Sequence, residues 1–180
     1  MDQEKILNVQ PHSYEAEQAV LGSMLSSSKA VDKAFEKKLK SEHFYKNAHS
    51  LIYSTMEELN KDNEPIDTVS VVDLLTKRKH LKKSGGAYYI SGLIEVVPTT
   101  AHVERYIKIV MDKSILRNLI FLANDISKEA YNDSQEVEDI LEIVQKSIFS
   151  ITQDALQKDF EKLDPVLIKT FDKIDKIAAH

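Results

Sequence analysis

Apolar positions recur along this chain at helical spacing almost from end to end, with few Gly or Pro residues to interrupt them. Pro11 and Ser13 introduce a first helix over about 14–26, with Glu15 and Glu17 near the positive end of its dipole. Ala16, Ala19, Val20, Ser23 and Met24 share one face, and Leu21, Leu25 and Tyr14 widen it. Gly22 falls outside this face, beside Glu15 and Gln18, on the side expected to meet water. A glycine inside a helix costs about 1 kcal/mol relative to alanine. Its presence therefore predicts a flat spot where another backbone approaches closely.

A short helix over 29–38 follows, with Ser28 as its N-cap. A longer one over 42–60 places Phe44, Ala48, Leu51, Ile52, Met56 and Leu59 on one side. "KDNEPID" is a turn by composition, and "TVSVVDLLTKRKHL" reads as a helix capped by Thr68, with Val71, Leu74 and Leu75 inward. "SGG" at 84–86 breaks the chain before a brief helix through Tyr89, Ile90 and Leu93 that ends ahead of Pro98. Residues 1–12 form a loose arm and 13–100 a globular helical head.

Beyond Thr100 the pattern changes. Residues 101–131 contain neither Pro nor Gly and predict one long helix. Its first half carries Val103, Tyr106, Ile107, Val110 and Met111 on one stripe, while Ile115, Leu116, Leu119, Leu122, Ala123 and Ile126 occupy roughly the opposite side. A helix that switches its apolar side packs against two bodies: the head first, then a partner helix. "NDS" at 132–134 connects it to a second helix over 135–152, with Val137, Ile140, Leu141, Val144, Ile148 and Ile151 on one face. Two long helices joined so tightly form an antiparallel hairpin over 101–152. Leu119, Ile120, Phe121, Ile143 and Phe149 are apolar residues that the hairpin does not cover in full, and they predict a self-association surface. Residues 153–163 read as a polar linker. Asp164 and Pro165 then open a separate C-terminal linker helix over 164–180, whose narrow stripe of Leu167, Ile168, Phe171 and Ile174 is too short to persist without a partner.

Composition narrows the function classes. The chain is 42% hydrophobic and 29% charged, with four Gly, four Pro and no Cys, which fits an all-α protein and excludes disulfides, thiolate metal sites and a cysteine nucleophile. A formal charge of −5 argues against a domain that tracks a phosphate backbone, since such surfaces are usually basic. "MDQEKILNVQ" lacks the features of a signal peptide, and no apolar run approaches the roughly 18 residues of a membrane span. Neither the "GSMLSSSK" run at Gly22 nor the Gly85–Gly86 pair completes a phosphate-cradling P-loop. His12, His43, His49, His80, His102 and His180 include no pair spaced for a metal on one helical face, and they read as surface or helix-end residues. Glu138 and Glu142 share a face, read as its solvated side, and "KRKHLKK" at 77–83 reads as cations complementing a helix C-terminus in preference to a nucleic-acid contact, since no aromatic residues interleave with it. These residues assign no catalytic, cofactor-binding or metal site.

Six stretches, in order, carry a resemblance: "PHSYEAEQAVLGSML", "HFYKNAHSLIYSTMEEL", "EPID", "LKKSGGAYYISGL", "VPTTAHVERYIKIVMDKSILRNLI" and "LDPVLIKTF". They resemble the N-terminal domain of bacterial replicative DNA helicases of the DnaB family, a resemblance that covers about residues 11–180. His102 departs from this pattern, which carries asparagine there, and bears on how the next helix is capped. The resemblance implies a cytoplasmic, ATP- and Mg-dependent hexameric helicase whose motor, and its cofactors, lie outside this chain. It implies that the hairpins pair into a collar that receives the C-terminal domain of a DnaG-type primase, with a helicase loader as a further candidate partner. It also implies that the linker helix hooks onto a neighbouring motor domain. The chain itself would be no enzyme, with no strong direct DNA binding and no membrane contact. The alternative is a free-standing acidic helical adaptor in replication initiation or transcriptional control. A small helical hydrolase is a third reading, for which no buried acid–base pair is evident.

Overall fold

Ser13 is extended, and its Oγ accepts a hydrogen bond from the Ala16 amide at 3.2 Å, so that α1 (Tyr14–Ser26) starts where the sequence predicts. In the computed structural model, which describes residues 9–97, 99–131 and 136–156, six more α-helices follow: α2 (Ser28–Glu36), α3 (Asn47–Lys61), α4 (Thr68–Lys77), α5 (Gly86–Glu95), α6 (Val103–Ala130) and α7 (Val137–Leu156). The described residues contain no strand. The chain divides into two compact units, with the boundary between Phe121 and Leu122.

In the first unit α1 lies centrally, against α2, α3 and α5, while α4 contacts both α3 and α5. From Ala16 to Leu25 only Gln18 escapes full burial. Gly22 is therefore not on a wet side. A Cβ built on it would lie 2.1 Å from the Leu93 carbonyl oxygen and 2.8 Å from the Leu93 carbonyl carbon, so the missing side chain admits the backbone of α5. Leu21, Met24, Ile52, Met56, Leu75 and Ile90 fill the space among these helices. The apolar head extends into the next helix, where Val103, Ile107, Val110, Met111 and Ser114 are buried at i, i+4, i+7, i+8 and i+11. The unit accordingly runs past residue 100, the boundary expected from sequence.

Several helix starts differ from those the sequence predicts. The N-cap of α2 is Ser27 and not Ser28, and that of α4 is Asp67, whose carboxylate accepts from the Ser70 amide at 2.8 Å, in place of Thr68. The expected helix from residue 42 is a 3-10 turn over Ser41–His43, an extended Phe44, and α3 only from Asn47. The reason is remote: the Glu17 carboxylate takes the amides of Tyr45 and Lys46, which are then unavailable to a continuous helix. At the entrance of α6, Thr99 Oγ1 accepts from the Ala101 amide, and His102 sits exposed in the 3-10 turn Thr100–His102. Thr99 thus caps the 3-10 turn that leads into α6.

The second unit holds the last turns of α6 and all of α7, an antiparallel helical hairpin. None of its described residues is fully buried. Leu122 and Ile126 on α6, and Ile140, Val144 and Ile151 on α7, are half-buried. α7 begins at Val137 and runs to Leu156, past residue 152 where the sequence places the linker. The "NDS" connection and the linker helix from Asp164 lie outside the described residues.

Candidate interaction surface

The head is organised around a buried polar chain that α1, α3 and α5 build together. Glu17 and His49 are 1% and 0% exposed. The Glu17 carboxylate accepts from the amides of Tyr45 at 2.7 Å and Lys46 at 3.3 Å. His49 Nδ1 lies 2.6 Å from the same carboxylate, and its Nε2 lies 2.6 Å from the Tyr89 hydroxyl. That hydroxyl already accepts from Gln18 Nε2 at 3.2 Å and Lys46 Nζ at 3.1 Å. A carboxylate only accepts, so Nδ1 carries the proton, and the twice-accepting Tyr89 hydroxyl donates to Nε2. Every member is thereby satisfied, as burial requires. His49 stands in the first turn of α3, a helix end as expected, but it is wholly buried and not a surface residue, and Glu17 does more than complement a dipole.

Arg117 fixes α6 to the same end of the head. Its guanidinium donates to the Pro11 carbonyl at 2.9 Å and to the His43 carbonyl at 2.8 Å, and lies 5.7 Å from the centre of the Tyr45 ring. Burial lowers its pKa, opposed by the nearby charge of Glu17 and by Tyr45. His12 stacks on Tyr45 with ring centres 4.4 Å apart. No sequence pattern marks this cluster, because its members come from three distant segments.

All five residues expected to form a self-association surface are exposed, from 43% at Leu119 to 67% at Phe121. Leu119, Ile120 and Phe121 lie on α6 at the end of the first unit, and Ile143 and Phe149 lie on α7 in the second. The exposed set is larger than the sequence predicts. Leu116, expected to face a partner helix, joins Leu119 and Ile120 on an exposed stripe. On α7, Val137, Leu141 and Ile148, expected on the packed face, are each at least 50% exposed. Only Ile140, Val144 and Ile151 of that face are half-buried. One neighbouring helix covers a narrow strip, and α7 carries more apolar width than that.

The residues of the expected hook, Leu167, Ile168, Phe171 and Ile174, lie outside the described residues. Among the described residues no cluster of His, Asp or Glu is arranged to hold a metal ion, and no helix is long and apolar enough to cross a membrane. Glu138 is exposed, and Glu142 pairs with Lys146 at 2.5 Å, the ordinary arrangement of a solvated helix face.

The profile of the DnaB-like helicase N terminal domain matches residues 9–112, more than half of the chain. The chain belongs to the DnaB-like helicase N-terminal domain family. The match takes in the α1 helix with Gly22, the Glu17–His49–Tyr89 chain and the buried half of α6. The replicative DNA helicase DnaC of Bacillus subtilis is 38% identical over 93% of this chain, and the replicative DNA helicase DnaB of Geobacillus stearothermophilus 36% identical over 94%. This DnaB-like domain spans 37% of the length of each of those two relatives. A crystal structure of the N-terminal domain of DnaB helicase from Mycobacterium tuberculosis superposes with a TM-score of 0.74 at 33% identity, over 79% of this chain and 99% of that one. A structure of a DnaB-like replicative helicase, described with its interactions with primase, shares the fold at a TM-score of 0.59 and 23% identity, over 91% of this chain and 35% of that one.

Proposed function

We propose that this chain acts as the N-terminal collar domain of a hexameric, ATP-dependent replicative DNA helicase in the bacterial cytoplasm. In this reading it associates with further copies of itself through α6 and α7 and receives the C-terminal domain of a DnaG-type primase. The observation that carries the reading is the contrast inside a DnaB-like domain between a sealed head and helices that end in exposed apolar stripes. Burying a large apolar side chain contributes about 1.5–3 kcal/mol relative to leaving it in water. Nine such residues on two helices mark an interaction surface far more than a solvated one. The primase assignment draws on family membership and on the relative whose structure is described with primase.

Sedimentation tests the reading. Phe149→Asp shifts the chain toward monomer while leaving its helical circular dichroism within about 5–10%, because a side chain already in water carries little of the fold. Loss of helical signal would assign Phe149 to a core and refute the surface. For the primase, calorimetric titration of the wild-type chain with the DnaG-type C-terminal domain gives a saturable signal, and Phe149→Asp weakens it if paired hairpins form the site.

A further inference from the structure

The segment from Leu74 to Ile94 carries five cations, Lys77, Arg78, Lys79, Lys82 and Lys83, and no acidic residue. The whole chain is at −5, so the remaining residues are at −10 and charge is strongly segregated. A helix C-terminus accounts for only part of the cluster. Lys77 pairs with Asp73 at 2.6 Å and Arg78 pairs with Glu58, both at the end of α4. Lys79, Lys82 and Lys83 lie beyond its cap, are exposed, and make no ion pair among the described residues.

The backbone that presents them is fixed. Lys79 is left-handed at φ 59°, and the amides of His80 and Leu81 both donate to the Leu75 carbonyl, at 2.8 and 3.1 Å. The Ser84 amide returns to the His80 carbonyl at 3.0 Å, and that of Gly86 to the Leu81 carbonyl at 2.9 Å, while Leu81 packs on the core. This last bond sets the start of α5 beside the basic turn. Two residues on, Tyr88 is 95% exposed and its side chain makes no hydrogen bond and no ring contact among the described residues, whereas its neighbour Tyr89 turns inward to His49.

We propose that this turn, with Tyr88, is a contact site for a single-stranded polynucleotide. Unpaired lysines on an ordered turn meet successive phosphates, and an unpartnered aromatic ring beside them offers a face for a base, the two ingredients of single-strand binding. An acidic polypeptide would engage the lysines but leave the ring without a role. The site is small and its affinity in one copy is low. Copies brought together by self-association raise it without any new contact. The inference does not depend on which helices mediate that association.

Fluorescence anisotropy with a labelled 20-mer of deoxythymidine, titrated with the 180-residue chain at low salt, tests this. Three neutralised phosphates give a slope of about −2 in log K against log salt, so that a rise from about 50 to 200 mM NaCl weakens binding roughly twentyfold. The triple variant Lys79→Ala/Lys82→Ala/Lys83→Ala abolishes most of that slope. Tyr88→Ala weakens binding about five- to tenfold with the slope unchanged. Phe149→Asp, which addresses association, leaves the salt slope per chain intact, and both basic-turn variants leave sedimentation unchanged. Absence of binding at about 20 mM NaCl, or equal binding by wild type and the triple variant, overturns the proposal. So does a polyglutamate of equal length that displaces the 20-mer with Tyr88→Ala silent, which would make the turn a docking point for an acidic protein.

Discussion

Leu21 and Leu141 are the same residue on two helices of one chain, yet Leu21 is wholly enclosed and Leu141 is 58% exposed. The first belongs to a unit that completes its own interior, down to a carboxylate and an imidazole that satisfy each other inside it. The second belongs to a unit with no fully buried residue among those described. A five-helix head with part of a sixth has enough layers to close around a central helix. Two helices have one shared seam and leave the rest of their apolar surface in water. The head is therefore stable by composition, and the hairpin by company.

Alanine at these two leucines separates the regions most. Leu21→Ala costs about 2–5 kcal/mol in urea unfolding, since neighbouring helices cannot collapse into the cavity. Leu141→Ala costs under about 0.5 kcal/mol at chain concentrations low enough for monomer, and lowers the concentration-dependent part of the stability instead. Equal losses at both positions would erase the distinction. Gly22→Ala comes next, at about 1–3 kcal/mol, because a Cβ 2.1 Å from the Leu93 carbonyl oxygen pushes α1 from α5. The same substitution leaves sedimentation unchanged if the head and the association surface are independent. A neutral Gly22→Ala would show that α5 yields easily and that the head is looser than its burial suggests.

The smallest effect is a slope. Tyr53 is fully buried and its hydroxyl donates to the Leu39 carbonyl at 2.8 Å. Burial, with Glu57 adding to it, raises its pKa well above the ordinary tyrosine value. Its neutral form then favours the folded head at all pH below about 10, and that contribution falls as pH rises further, by about 1.4 kcal/mol per pH unit. Tyr53→Phe loses about 1 kcal/mol below pH 10 for the missing bond. Above pH 10 the gap between variant and wild type closes. A gap constant to pH 11 would mean that the head opens to water around Tyr53.

The helices were legible because each head helix repeats its apolar residues at the period of its own turn. The Gly22 flat spot was legible too, but its direction was not. Period analysis assigns every helix a dry and a wet side, whereas α1 at Gly22 is enclosed on the side that Glu15 and Ser26 leave open to water at its two ends. Glu17 and His49 gave no signal, since the meaning of each is the other, 32 residues away. The break before α3 was hidden for the same reason: its cause lies on α1. On α7 the apolar residues were found but divided wrongly between packed and spare faces, because sequence does not say how many neighbours a helix has. Ahead of α6, His102 lies in a 3-10 turn that Thr99 caps, an element whose period is too short to show in the apolar pattern.

Glu17 also constrains how the head comes together in time. Its partners at Tyr45, Lys46 and His49 lie 28, 29 and 32 residues away, and the Tyr89 hydroxyl that completes the chain lies 40 residues beyond His49. A partly assembled head, with α1 dehydrated but α3 or α5 absent, holds a stranded carboxylate or imidazole, which is costly out of water. Such intermediates are disfavoured, so the separate loops close nearly together. The head gains an all-or-none transition at the expense of speed, as expected when the decisive contacts are distant in sequence.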